Sequence, residues 1–249
     1  MSIVSYKDTV NGPWLIINSD NTIRIGIERS SLMVDEMQTY SDVIAIAKRY
    51  KPEYKHVIDG GSNHGTFCVP IAAAHPDLEF HAFEVQRMIY YATCGTIALH
   101  GLTNIYSNLC ALSDKHESIS FNVPNYNAGG NYGAFEIQPP FMNTSVGHWT
   151  DSPTTSVIDS ITIDSLELET IFIKLDLEGM EYPAVIGATN TIEKFKPVVW
   201  CESIKSDQDL LFSYFTSRGY RVITDRHTNW YFIPEWVTDI AEMETAIFS

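Results

Sequence analysis

The chain has 249 residues, 45% hydrophobic and 19% charged, a size and balance suited to one large α/β core in a water-soluble protein. Its 31 acids against 16 bases give a formal charge of −15, and no run of Lys or Arg builds a basic face. A nucleic-acid backbone is thereby excluded as the main partner, and a small neutral or cationic one is favoured. The four cysteines, Cys68, Cys94, Cys110 and Cys201, lack metal-ligand spacing and read as small buried hydrophobes of a reducing compartment. The first residues show no basic segment followed by an apolar one, and no apolar run is long enough to span a bilayer. The expectation is a cytoplasmic protein without a membrane partner.

In chain order, residues 1–55 read as an N-terminal cap. Residues 13–17 and 23–27 look like two short strands around a turn at 18–21, and residues 34–50 show helical spacing that stops at Lys51-Pro52. From His56 to about residue 234 strands and helices alternate: a strand at 56–59, a Gly-rich turn, a helix to about Ala74, a strand at 78–84, a helix at 87–99 and a strand within 104–112. That rhythm predicts an α/β fold with a parallel sheet and helices on both faces. Residues 118–123 form a further candidate strand. Residues 124–160, rich in Asn, Gly, Pro, Ser and Thr, read as a long functional loop inserted in the domain. Regular structure resumes with a strand at 171–176, a helix at 182–195, a strand at 197–201 and a helix at 207–217. The final strands, 220–223 and 230–233, are so closely joined that they must be antiparallel neighbours. Residues 235–249 form an apolar helical tail suited to packing or to a homo-oligomer contact.

Three features carry chemistry. In Asp59-Gly60-Gly61-Ser62-Asn63-His64-Gly65, glycines at a strand-to-helix turn let backbone approach a ligand. The dinucleotide pattern G-x-G-x-x-G fails in both registers, because the middle glycine is Ser62 or Asn63, and an acid beside the loop suits a ligand with an ammonium group better than a diphosphate. Glu84 closes the second strand, where a carboxylate can accept both hydroxyls of an adenosine ribose. Lys174, Asp176 and Glu178 form a charged stripe on a strand that should be apolar on both faces. Such charges must pair or line a site at the carboxyl end of the sheet. Glu202, ending the next strand, is a candidate partner for Lys174.

These segments resemble the FkbM-type methyltransferases. Residues 57–67 are similar to the family's V-I-D-x-G-A-N-x-G-x-[FY]; Phe83-Glu84-Val85-Gln86 to its F-E-P-x; Cys110-Ala111-Leu112-Ser113-Asp114 to A-L-[GS]-D; and Ile163-Asp164-Ser165-Leu166 to D-x-L. Residues 173–181 resemble I-K-[IL]-D-[VIL]-E-G-x-E, and residues 197–202 the P-x-x-x-x-E strand. Val85 replaces the usual proline, His64 a commonly apolar residue, and the 124–160 loop is long. The resemblance implies a Rossmann-like class I sheet with an antiparallel last strand, S-adenosylmethionine (SAM) as cofactor, and O-methylation of a hydroxyl on a small molecule or carbohydrate. It implies that Asp59, Gly61, Asn63 and Gly65, with Ser62 and Thr66, surround the methionine end. Glu84 and Val85 would meet the ribose, Ala111 the adenine, and Asp176 the reacting centre.

An aliphatic hydroxyl needs a base as its proton leaves. Asp176 and Glu178 are the first candidates, assisted by Lys174, with His64 and His81 behind them. Asn125, Tyr126, Asn131 and Tyr132, set among glycines, suit a polyhydroxylated acceptor under a closing lid. No metal is expected. The rival readings are an adenosyl-binding scaffold, which would have no need of Asp176, and an NAD-dependent oxidoreductase, which the glycine pattern disfavours.

Overall fold

The computed structural model describes residues 2–29, 34–137, 154–225 and 229–248. The chain opens with a hairpin, β1 (Val4–Thr9) and β2 (Gly12–Ile17), antiparallel in register. Residues 23–27, expected as the second strand, are instead part of helix α1 (Ile23–Arg29). The cause is local. The Asp20 carboxylate accepts the amides of Thr22 (2.9 Å) and Ile23 (2.7 Å), supplying the first turn with a cap, and Arg24 pairs with Glu28 one turn on. Capping outweighs the β preference of three isoleucines.

Helix α2 (Val34–Tyr50) leads to the alternating core: β3 (His56–Gly60), α3 (Cys68–Ala74), β4 (Glu79–Phe83), α4 (Arg87–Leu99) and β5 (Ile105–Asn108). The strand expected within 104–112 then breaks. Its second part, β6 (Ala111–Leu112), leaves the main sheet and joins β7 (Glu117–Asn122) and β8 (Thr155–Ile161) in a small sheet of order β6-β8-β7. Strand β8 lies inside the stretch expected to be loop, so the irregular segment is shorter than residues 124–160. Of it, residues 138–153 lie outside the described residues.

The chain continues through β9 (Thr170–Leu175), α5 (Glu181–Ile186), α6 (Thr189–Phe195), β10 (Val198–Cys201), α7 (Gln208–Thr216), β11 (Tyr220–Thr224), β12 (Trp230–Pro234) and α8 (Ile240–Phe248). The single helix expected over 182–195 is two short ones. Asp164 accepts the amides of Asn190 (2.9 Å) and Thr191 (2.7 Å) and so starts α6 afresh, while a Cβ on Gly187 would sit 2.0 Å from the Ser113 carbonyl oxygen. Asp164, in the D-x-L motif, is therefore a helix cap.

Among the described residues, seven strands form the main sheet in the order β11-β12-β10-β9-β3-β4-β5. Strand β12 runs antiparallel to both neighbours and the other pairings are parallel, as the short β11–β12 connection requires. Strands β9 and β10 are buried along their whole length, which is why they read as apolar runs apart from Thr170 and Lys174. On one face Trp14, Tyr40 and Ile44 share a core with Val57, Phe80, Phe172 and, from α8, Met243 and Ile247. On the other, Ile58, Ile173 and Val199 pack against α5, α6 and α7 through Val185, Ile192 and Phe215.

Candidate functional site

The central strands β3, β4 and β9 deliver their carboxyl ends to one edge of the sheet. After β3 the backbone turns sharply, with positive φ at Gly61 (74°), Asn63 (49°) and Gly65 (81°). Gly61 is required here. A Cβ would lie 1.8 Å from the Asp176 carbonyl oxygen, and no side chain fits where two backbones cross so closely. The amides of Gly61 and Ser62 donate to the Phe83 carbonyl at 3.0 and 2.9 Å, tying the loop to the end of β4.

Glu84 holds the loop from the other side. Its Oε2 accepts the Asn63 amide (2.9 Å), and its Oε1 the amides of Val85 (2.9 Å) and Gln86 (2.7 Å). An ionised carboxylate offers about four acceptor positions, so at least one remains for a ligand. Burial raises this carboxyl to about 7, opposed by the three amides.

Asp59 and Lys174 are level in the β3–β9 pairing, and their side chains meet between the strands. Lys174 Nζ lies 3.3 Å from Asp59 Oδ1 and 3.6 Å from Asp176 Oδ2, and donates to the Gly61 carbonyl at 3.1 Å. Burial pulls the ammonium down, but Asp59 and Asp176 outweigh it and hold Lys174 above its ordinary value. Lys174 does not pair with Glu202. Cross-strand register sends its side chain to Asp59, among the rings of Phe67 and Trp200, whereas Glu202 lies beyond the end of β10.

The stripe breaks after Asp176. The Asp176 amide still donates to the Gly60 carbonyl (3.1 Å), but Glu178 has φ of 54° and its carboxylate turns to Lys205. Lys205 also pairs with Glu136 at 2.9 Å, joining the inserted segment to the rim. Asp176, Glu178 and Glu202 each bring a carboxylate oxygen within 4.8 Å of the others. Burial raises Glu178 to about 7 and Glu202 to about 8, and Asp176 adds to both shifts.

These groups border an open cavity of about 580 Å³. Of the residues expected around the cofactor, Gly61, Asn63, Glu84, Val85, Ala111 and Asp176 line it. Asp59, Ser62 and Gly65 are buried, Thr66 is half-buried, and none of the four lines the cavity; Asp59 meets Lys174 instead. Lys174 likewise does not line it, and Asp176 and Glu178 face the cavity. The sequence reading missed the apolar walls Phe83, Leu112, Phe135 and Met180, and also Gln86. Gln86 follows Glu84 by two residues, so its nearness was legible. Its amide donates to the Tyr132 carbonyl at 2.8 Å.

The inserted segment docks on the cap through a parallel bridge between Asp20 and Gly130: the Asn21 amide donates to the Gly130 carbonyl (2.8 Å), the Gly130 amide to the Ser19 carbonyl (3.1 Å), and the Ser19 hydroxyl to the Tyr126 carbonyl. Tyr126 and Tyr132 do not offer their rings to an acceptor. They pack on each other at 5.0 Å and are buried with Ile17 and Ile89, so apolar burial has taken the faces that stacking on a sugar would need. Asn125 is exposed and Asn131 half-buried, and neither lines the cavity. Gly133, Phe135 and Ile137 are what this segment shows to it.

Neither candidate histidine lines the cavity. His64 is fully buried, accepts the Ile17 amide on Nε2 (3.2 Å) and bonds Asn63 Oδ1 through Nδ1 (2.7 Å); burial lowers it to about 4. It fastens the loop to the hairpin. His81 lies within β4, away from the cavity, and burial and His56 lower it to about 4 as well.

A model of the FkbM methyltransferase domain matches residues 59–222, two thirds of the chain and all of the elements that build this cavity. The chain belongs to the FkbM methyltransferase family. A solved FkbM methyltransferase from Methylobacillus flagellatus KT superposes with a TM-score of 0.52 at 18% identity, over 72% of this chain and 43% of that one. That likeness shows the fold, and this chain spans less than half the length of that structure. The magnesium protoporphyrin IX methyltransferase of Synechocystis PCC 6803, solved with SAM bound, gives 0.42 at 9% identity over 85% of this chain and 82% of that one. No curated protein matches the chain. The family implies S-adenosylmethionine as cofactor, and the residues that line the cavity would fit it. Glu84 keeps an acceptor position for ribose, apolar walls at Phe83, Ala111, Leu112 and Phe135 suit a flat base, and the carboxylate of Asp176 is placed to meet positive charge. Among the described residues no helix is long and apolar enough to cross a membrane.

Proposed function

We propose that this FkbM-family methyltransferase methylates a hydroxyl oxygen of a small molecule or carbohydrate. One observation carries the reading: Asp176 and Glu178 face the cavity beside the Gly61–Asn63 turn, with Glu202 within reach of both. Gly61, Asn63, Glu84, Val85 and Ala111 would hold the cofactor, whose sulfonium supplies an activated methyl group. This chain's share is alignment and proton removal. Asp176, fixed by Lys174 and by its own amide bond to Gly60, orients the acceptor oxygen; in-line displacement depends heavily on such alignment. Glu178, raised by burial to about 7, accepts the hydroxyl proton, since a base works best with its pKa near the working pH. Phe135 and Met180 give the cavity apolar walls. The acidic rim supports a neutral or cationic acceptor over an anionic one.

The test is an acceptor screen that reads S-adenosylhomocysteine formation with pools of alcohols, sugars, phenols, amines and thiols. Turnover with a hydroxyl compound, lost in Asp176→Asn with the melting transition retained, is the expected result. Turnover confined to amines or thiols, or near-normal rates in Asp176→Asn, would refute the reading.

A further inference from the structure

At the opposite edge of the sheet three half-buried donor side chains meet. His56 opens β3, Glu79 opens β4, and His81 lies two residues further on. In the parallel pairing His56 is level with Glu79 and Ile58 with His81, so strand alternation puts all three on one face. His56 Nδ1 is 3.2 Å from His81 Nε2 and 3.8 Å from Glu79 Oε2, and the three donor atoms all lie within 4.8 Å of one another.

We propose that His56, Glu79 and His81 form a site for a divalent transition-metal ion of the zinc class, with water in the remaining position. The decisive feature is convergence. A hydrogen-bonded relay would place the carboxylate on one nitrogen of His56 and the second histidine on the other. Here both partners approach the same nitrogen, Nδ1, which can share at most one proton with them. Three donors crowding one point is the arrangement a cation organises. With metal–ligand distances of about 2.1 Å, the 3.2 Å and 3.8 Å separations subtend roughly 100° and 130°, around the tetrahedral angle. Two imidazoles and one carboxylate suit zinc, nickel or copper better than magnesium or calcium, which want oxygen throughout. His81 is held in place by stacking on Tyr106, with ring centroids 5.1 Å apart and planes 17° from parallel. All three ligands are half-buried, so part of their desolvation is already complete while water can still reach the ion.

The site lies a full strand length from the methyl-transfer cavity, roughly 13 Å at 3.3 Å per residue. It would staple the starts of the two strands whose ends carry the glycine turn and Glu84. The experiment uses the full chain, stripped with a chelator and titrated with zinc chloride in a calorimeter while the melting temperature is followed. One ion should bind per chain with a micromolar or tighter dissociation constant and raise the melting temperature. His56→Gln and Glu79→Gln should each weaken binding at least tenfold, and cobalt(II) should give visible absorption with the native chain that His56→Gln lacks. Glu79→Gln is a near-isosteric change at a half-buried position, which keeps the test open if a histidine variant folds poorly. Glu202→Gln, in the carboxylate cluster across the sheet, should bind zinc as the native chain does. Absence of binding below about 100 μM, native-like affinity in Glu79→Gln, or loss of the ion only in Glu202→Gln would overturn the proposal.

Discussion

Lys174→Met isolates the buried ion pair beneath the cavity while keeping most of the side-chain volume. In the native chain Lys174 compensates Asp59, which is fully buried, and reaches Asp176 and the Gly61 carbonyl as well. Removing one partner of such a pair leaves an uncompensated charge and costs about 3–5 kcal/mol. At roughly 2–4 °C per kcal/mol for a chain of this size, the melting temperature should fall by about 6–20 °C. Asp59 can limit the loss by taking up a proton, and this fixes the sign of the pH dependence. Burial already raises its carboxyl, and without the lysine its folded value rises further above the unfolded one. A raised carboxyl favours folding below its unfolded pKa and loses that advantage as pH climbs through the folded value. The deficit relative to the native chain should therefore be larger at pH 8 than at pH 5. Adding Asp59→Asn should recover much of it by removing the stranded charge. Melting curves at both pH values for the native chain, the single variant and the double variant test this. A loss below about 3 °C at pH 8, or one equal at both pH values, would refute the account of Lys174 as the counter-ion.

Gly61→Ala should leave the far edge of the sheet intact but abolish measurable SAM binding in calorimetry, because its Cβ meets the Asp176 carbonyl at 1.8 Å; native affinity would show that the turn relaxes freely. Glu84→Gln should weaken SAM binding tenfold or more, since charge-assisted hydrogen bonds are worth about 1.5–3 kcal/mol and the amide cannot accept all three backbone N–H groups. An unchanged dissociation constant would remove Glu84 from the cofactor site. For Glu202, raised to about 8 by burial and by Asp176, stability is present below the unfolded pKa and lost as pH rises through about 8. Glu202→Gln should thus gain a few degrees of melting temperature over the native chain at pH 9 and little at pH 6, with about 2–4 °C per kcal/mol as the scale. A gain that does not grow with pH would mean that Glu202 is not held protonated.

The alternating core was legible because its signals are local and repeated. Apolar runs such as residues 171–175 mark strands buried on both faces, and the short β11–β12 connection dictates antiparallel pairing. The glycine turn was legible because a positive φ and a close backbone crossing restrict which residues can stand there, and Glu84 because it is an acid closing the next strand. Errors arose where a single hydrogen-bonding side chain overrode the pattern. Asp20 turned an apparent strand into α1, and Asp164 restarted a helix as α6. Alternation also failed past the end of β9: Glu178, three residues beyond Leu175 and expected on the face of Lys174, turns away at positive φ and meets Lys205.

By itself, then, the sequence determined the order of strands and helices, the strand end where the ligand loop falls, and the requirement that the charges at Lys174 and Asp176 be compensated. Those properties follow from neighbours along the chain and from the cost of burying charge. Which charge answers which was decided by tertiary structure. Register between β3 and β9 pairs Lys174 with Asp59 and withdraws both from the cavity, while Glu178, Glu202 and Glu136 are gathered around Asp176 and Lys205 from separate segments. The fate of Tyr126 and Tyr132 was decided in the same way. Their loop looks polar along the chain, but the hairpin supplies Ile17 to bury them, and a partner more than a hundred residues away in sequence leaves no mark on the loop's own composition.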